Sequence, residues 1–335
     1  MSFKAKVLIF LIGAASLSAD LRYGNPAEEC SFKLYTMFDY LYWQASEDGL
    51  EYAMKETAAS PFGIQGSVAS IDFLYDNGFR IGGGLLLPRT SWQIEVDWTR
   101  FYNFMRESTT EMFGGSPSLV GLWMSPVGHG IVTWEDASFS WDIKFDTLDL
   151  DLLRVGLANA NFSFTPRIGL KRAWVKQHFH VRYETGFEPF AGLLSSAFYD
   201  IRFGNDFRGI GPRLGMDTQL KIGWGFSIAA NAAAALLYGP MRGHRIDVST
   251  PFGGIDLVEN INRFKPMAQG EIALDWTWRF ENSMRLQLCV GYEGEVWWGQ
   301  NQLRSQISSS LPASSFKANG ALTLKGLDLH ARFDF

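Results

Sequence analysis

From Trp92 the chain alternates without a break, with Trp92, Ile94, Val96 and Trp98 on one face and Gln93, Glu95, Asp97 and Thr99 on the other. A period of two belongs to a strand with one apolar face, and no helix produces it. The period returns in Met284, Leu286, Leu288, Val290 and Tyr292 against Arg285, Gln287, Cys289, Gly291 and Glu293. Ile272, Leu274, Trp276 and Trp278 oppose Glu271 and Asp275; at the C-terminus Leu327, Leu329, Ala331, Phe333 and Phe335 oppose Asp328, His330, Arg332 and Asp334. Weaker copies run from Phe79 to Leu87 (with Arg80 on the polar face), Phe162 to Leu170, Ile210 to Met216 (against Arg213 and Asp217) and Trp224 to Ile228. The stretch Tyr35 to Trp43 is aromatic on both faces.

In Trp141 to Leu152 the apolar parity switches, from Trp141, Ile143 and Phe145 to Leu148, Leu150 and Leu152, and it switches again near Gly326. Each switch predicts a β-bulge. Gly82-Gly83-Gly84 predicts a bend or a bulky neighbour. Asp76-Asn77-Gly78 is a candidate hairpin turn, and the stretch from Val120 to Thr133 has room for a further strand pair.

The connections alternate in length. Short turns are expected at Pro88 to Ser91, Gly156 to Asn161, Lys221 to Gly223 and Glu281 to Ser283. Long loops are expected at Ser46 to Ser67, Arg106 to Ser138, Phe179 to Asp206, Gly239 to Lys265 and Gln300 to Ala318. If strands run up and down, all short turns and both termini lie at one end. This pattern is that of an outer-membrane barrel: all-β, antiparallel, with short periplasmic turns and long extracellular loops. The segments predict about ten strands, in a range of roughly 8 to 14. Closure is required, because an unpaired strand edge cannot stand in lipid. Trp92, Tyr102, Trp141, Trp224, Tyr238, Trp278, Trp298 and Phe335 are then expected as interfacial girdles. A β-sandwich would also alternate, but its loops need not alternate in length.

Composition fits this picture. Of 335 residues 47% are hydrophobic, 15% aromatic and only 19% charged, which argues against disorder and long solvated helices. A mean hydropathy of −0.04 excludes a polytopic helical membrane protein. Net charge is −5 with no basic stripe, so a nucleic-acid partner has no electrostatic support. Cys30 and Cys289 form no CxxC or Cys/His cluster, so no metal site, cofactor or disulfide framework is indicated. Lys4 and Lys6 precede the apolar run Val7 to Ala15 and the small residues Ser16 and Ser18, the layout of a cleaved signal peptide. The expected organisation is a signal peptide over 1–18, a periplasmic segment over 19–32 and one barrel domain over 33–335.

Under this register Arg80, Glu95, Asp97, Asp142, Lys144, Arg213, Asp217, Glu271, Asp275, Arg285, Glu293, Asp328, His330 and Arg332 face the lumen. Such a lining would pass small hydrophilic solutes, and cations if the acidic excess lies at the constriction. It could equally be an ion-pair network that fills the barrel. About eight strands are filled by side chains and 16 to 18 leave a channel, so ten strands imply weak conduction. His129, His178, His180, His244 and His330 bring no Ser or Asp motif, so an enzyme is not expected.

Several blocks resemble the Legionella-type major outer membrane protein family, also found as MOMP-like proteins in chlamydia-related bacteria. They are Phe38 to Trp43 followed by Ala45 to Ala53, Gly78 to Gly82, Trp98-Thr99 with Phe101, Gly209 to Gly215, Leu236 to Gly239, Gly291 to Glu293 and Arg332 to Phe335. The resemblance spans nearly the whole mature chain and implies a pore-forming protein integral to a Gram-negative outer membrane. It brings no catalytic residues. The family's cysteine-rich, cross-linked envelopes contrast with the two cysteines here. The terminal Phe335 is the expected signal to the barrel-assembly machinery. Further expected partners are outer-membrane lipid, a second copy of the chain in an oligomer, and a host-surface ligand of the loops. The alternative function is a non-conducting surface adhesin.

Overall fold

The computed structural model describes residues 33–335, apart from 61–62, 70, 89, 91, 114–115, 124–132, 155–156, 159–160, 187–196, 251–252, 281–283, 303, 307–314 and 318–319. The expected signal peptide and periplasmic segment, with Cys30, lie outside the described residues, as does His129.

Ten long strands form the wall: β1 Lys33–Glu47, β2 Tyr75–Leu86, β3 Trp92–Thr110, β4 Asp136–Arg154, β5 Phe162–Thr185, β6 Ala197–Gly223, β7 Phe226–Thr250, β8 Gly253–Arg279, β9 Arg285–Trp297 and β10 Leu322–Asp334. Each pairs antiparallel with its neighbours in sequence, and β1 pairs with β10 from Tyr35↔Asp334 to Glu47↔Leu322. The ring is therefore closed, and no backbone edge is left for lipid. Its seam runs to the last residue, where the Phe335 N–H donates to the Leu34 carbonyl at 2.9 Å.

The short turns lie at the end that carries both termini. The β6–β7 turn sits slightly later than the sequence suggests. Gly223 pairs with Phe226, and the two loop residues Trp224 and Gly225 have φ of 52° and 85°. Two successive positive φ values define the tight hairpin turn that matches strand twist. Trp224 is 98% exposed there.

Three expectations at the other end are overturned. Most of the described residues in Phe179 to Asp206 and Gly239 to Lys265 are strand and not loop: β5 and β6 stay paired to Thr185↔Ala197, and β7 and β8 to Ser249↔Gly253. A strand needs about 9 to 11 residues to cross a bilayer, and β6 and β8 have 27 each. The wall thus projects far past any hydrocarbon layer. Asp76 to Gly78 lie inside β2, paired with β1, and make no turn. The suspected pair near Val120 does exist, as the short strands Leu119–Gly121 and Thr133–Trp134 in a sheet with Ala53–Ser60 and Gly63–Ala69.

The expected bulges are also absent. β4 pairs without a shift from Asp136 to Leu153 with both β3 and β5, and β10 runs unshifted through Gly326. What changes along each strand is polarity, with facing unchanged. In the half near the short turns the outward residues are apolar and exposed, among them Leu148, Leu150, Ile168, Leu170, Ile210, Leu214, Ile272 and Val290. In the far half the inward residues are apolar and buried. Trp43, Trp141, Trp297, Phe101, Phe139, Phe145, Phe179 and Phe207 fill the lumen, each at most 2% exposed. Trp141 is therefore a core residue and no girdle residue. Tyr102, Tyr238, Trp278 and Trp298 face outward and are exposed.

The Gly-rich strand β2 makes room for bulky neighbours. A Cβ at Gly84 would lie 2.2 Å from the Tyr35 ring, and one at Gly82 2.0 Å from Asp97 Oδ1. Gly84→Val should displace Tyr35 and cost about 1–3 kcal/mol from overpacking, seen as a lower urea midpoint of the folded barrel in vesicles. Trp297→Ala opens a cavity against Phe145, whose ring lies 5.6 Å away. Its cost should be larger, about 3–5 kcal/mol, in the same titration.

Candidate functional site

The half of the lumen enclosed by the apolar outer belt is polar. It holds a cavity of about 380 Å³ lined by eight carboxylates against five guanidinium groups and one imidazole. Period-two strands put these groups there, since a strand with one face in lipid must turn its polar face inward.

Arg80 of β2 is the hub. Its Nη1 donates to Asp39 at 3.0 Å and Asp328 at 3.2 Å, its Nη2 to Glu293 at 2.9 Å, and its Nε to Thr99 at 3.0 Å. Its guanidinium also lies 5.9 Å from the centre of the Trp43 ring, at the floor of the apolar half. Strands β1, β2, β3, β9 and β10 thus meet at one cation. A second knot joins Arg167 to Asp217 and, at 3.3 Å, to Asp151, while Arg213 bonds Asp151 and, at 3.1 Å, Gln269. Lys171 bridges Asp149 at 3.0 Å and Glu295 at 3.6 Å. His330 contacts Asp39 at 2.5 Å, the Tyr35 hydroxyl donates to Glu95 at 2.7 Å, and Asn231 donates to Glu271 at 2.8 Å.

These cations do not balance the acids. Glu95 sits directly opposite Asp151, Asp97 opposite Asp149 and Glu271 opposite Glu293 in the strand registers. Like charges so placed repel. Asp97 is 8% exposed, and its Oδ1 has no hydrogen-bond partner among the described residues.

Above the chamber the aromatic core closes the lumen, and inter-strand segments fold down onto it. The Trp123 ring packs on Phe179 at 5.2 Å and Phe203 at 5.7 Å. Its indole N–H donates to the Glu51 carbonyl at 2.6 Å, and Arg245 donates to its carbonyl at 2.9 Å. Tyr183 donates to the Tyr52 carbonyl, and Tyr52 stacks on Phe139 at 5.3 Å. Burial pushes the Tyr52 phenol above its usual range, and its hydroxyl lies 2.8 Å from that of Thr109. A further segment enters through Gln300 and Asn301, both buried, with Asn205 donating to the Gln300 carbonyl at 2.9 Å.

Of the residues expected to line the lumen, Arg80, Glu95, Asp97, Arg213, Asp217, Glu271, Asp275, Arg285, Glu293, Asp328, His330 and Arg332 face it. Asp142 and Lys144 do not. They lie on the outer wall, Asp142 3.0 Å from His178 and Lys144 5.8 Å from the Tyr102 ring. Their apolar neighbours Trp141, Ile143 and Phe145 point inward there, so the polar residues between them point out. The same inversion places His178, His180 and His244 outside, each beside an aspartate. Asp39, Asp149, Asp151, Arg167, Lys171 and Glu295 are members of the network beyond the expected lining, although Arg167 and Lys171 stand on the polar face of the Phe162 to Leu170 alternation. Asp149 and Asp151 share the parity of Gln93 to Thr99 across the pair, and that register would have revealed them.

Arg80→Leu should leave Asp39, Glu293 and Asp328 buried without their cation and cost about 3–5 kcal/mol, with Arg80→Lys losing less. The urea midpoint and heat-modifiable migration of the folded barrel read both.

The sequence profile of the family described as the Legionella pneumophila major outer membrane protein precursor matches residues 25–335. No curated protein matches the sequence. Solved structures align over nearly the full chain at low similarity. The Escherichia coli outer membrane protease OmpT gives 10% identity and a TM-score of 0.38, covering 92% of this chain and 99% of its own. A Pseudomonas aeruginosa FadL homologue gives 10% identity and a TM-score of 0.35, with 93% of each chain covered. A major outer membrane protein from Thermus thermophilus gives 10% identity and a TM-score of 0.34, covering 91% of this chain and all of its own. With the profile matched from residue 25 to the terminal Phe335 and the ten-stranded ring closed beneath it, the chain belongs to the Legionella major outer membrane protein family and is integral to the outer membrane.

Proposed function

We propose that the barrel is a narrow channel for small hydrophilic solutes and ions, with a preference for cations, held shut at its outer half. The observation that carries this reading is the acidic chamber at the level of the apolar belt. Its carboxylates outnumber its guanidinium groups, and three pairs of carboxylates sit directly opposite each other across strands. Such a lining lowers the energy of an entering cation and repels an anion. The aromatic core, with Trp123 and Tyr52 seated on it, is the closed gate in this reading. A solute passes only when the inter-strand segments lift and the aromatic side chains part.

A second reading has its own support. Buried aromatic rings span the outer half of the lumen with exposures of 0–2%, which suits a non-conducting barrel that acts through its outer surface. Conductance separates the two. The mature chain, refolded into a planar bilayer under a KCl gradient, should give rare, small steps whose reversal potential favours K⁺. Trp123→Ala, which removes the ring wedged against Phe179 and Phe203, should raise the frequency of openings severalfold while leaving the ion preference intact. A bilayer that stays silent with both proteins, each shown folded by circular dichroism and heat-modifiable migration, rejects the channel.

A further inference from the structure

The outer wall carries a feature that conduction does not use. Above the apolar belt, Lys144 of β4 lies directly opposite Lys176 of β5, Lys176 opposite Asp206 of β6, and Asp206 opposite Arg242 of β7. All three cations are exposed, and none makes an ion pair among the described residues. Asp206 is held by Arg208 at 3.0 Å, Asp142 by His178 at 3.0 Å, Asp256 by His244 at 2.9 Å and Asp146, which also feels Lys176, by Arg100 at 3.7 Å, so the local carboxylates are already engaged. Together the cations rim a shallow recess of about 710 Å³ that His178, His180 and His244 also line.

The recess has a fixed height. Four residues toward the short turns, about 13 Å along a strand, the same strands present Leu148, Arg172, Ile210 and Tyr238 outward. Arg172 lies over the Trp174 ring at 4.6 Å, and Leu170, Leu150 and Leu214 follow, 45–61% exposed. The apolar belt therefore begins about 13 Å below the cations, past an intervening row of Asp146, Trp174, Arg208 and Pro240. On the opposite wall the outward residues at this level are Tyr42, Gln44, Asn77, Tyr292 and Gly294, with Lys325 the one charge among them. The cations are confined to one side, whereas a general attraction to a charged membrane surface needs no such asymmetry.

We propose that the Lys144–Lys176–Arg242 recess binds the phosphorylated headgroup of an outer-leaflet glycolipid, whose acyl chains lie down the apolar strands β4 to β7. Positive side chains bind anionic phosphates at the headgroup level at about 1 kcal/mol each, and the site joins that charge to a lipid-facing wall. Free phosphate would meet only the cations, and a lipid without phosphate only the wall. The proposal rests on the membrane placement alone and holds whether or not the lumen conducts.

Native mass spectrometry of the folded full-length mature barrel in detergent tests it, with diphosphoryl lipid A, its dephosphorylated form and inorganic phosphate as probes. The wild type should retain one diphosphoryl lipid A. The K144Q/K176Q/R242Q variant should lose affinity about 100-fold, while K325Q on the opposite wall should match the wild type. Dephosphorylated lipid A should bind the wild type no better than the triple variant binds the phosphorylated form. Equal retention of diphosphoryl lipid A by the triple variant overturns the site. Equal retention of the dephosphorylated lipid by the wild type, or displacement by equimolar inorganic phosphate, overturns the assignment of the ligand. If the triple variant fails to show heat-modifiable migration, K176Q alone carries the test, with about a fivefold loss expected.

Discussion

Everything in this molecule follows from the need to pair each backbone N–H and carbonyl within a layer that offers no water. Ten strands joined in sequence order meet that need only if the first pairs with the last, and the seam between Lys33–Glu47 and Leu322–Asp334 does so down to the Phe335 amide. Closure then fixes facing. Among the described residues the barrel registers shift only between Lys221 and Gly223, beside the β6–β7 turn, so a residue's parity decides whether it meets lipid or lumen along the rest of its strand.

Constant facing against a changing surrounding produces the division of the interior. Where lipid covers the outside, the apolar face points out and the lumen receives the charges, knotted around Arg80, Arg167 and Lys171. Where the wall stands in water, polar residues such as His178 and Arg202 take the outside and the lumen becomes an aromatic core. That core gives the projecting hairpins a reason to stay ordered, since strands β5 to β8 could not persist beyond the bilayer as bare two-sided ribbons. It also makes the seat on which Tyr52, Trp123 and Gln300 rest. A charged chamber and a shut mouth are thus two outcomes of one strand pattern.

The inversion explains which residues were legible. Glu95, Asp97, Asp217 and Glu271 were readable as lumen-facing because their alternation lies within the lipid-covered half, where polar means inward. Asp142 and Lys144 were misread because the same rule was carried into the half where polar means outward. The switch between Phe145 and Leu148 is a change of solvent, and sequence alone shows it in the same form as a bulge. Asp39 escaped notice because its strand is aromatic on both faces: Leu41 and Trp43 enter the core while Tyr40 and Tyr42 face out. The projecting hairpins were hidden for a related reason, since strand residues that meet water on one side carry the charges expected of loops.

The sequence by itself determined that this is an antiparallel barrel of about ten strands in the outer membrane, because period-two alternation and alternating connection lengths are local features that survive without coordinates. It also marked most of the charges that enter the lumen. Only the tertiary structure decided the height at which facing changes its meaning, and with it the closed aromatic half, the outward Asp142 and Lys144, and the gathering of five strands on Arg80. Those depend on register between strands far apart in sequence, and a one-residue slip would exchange the two faces.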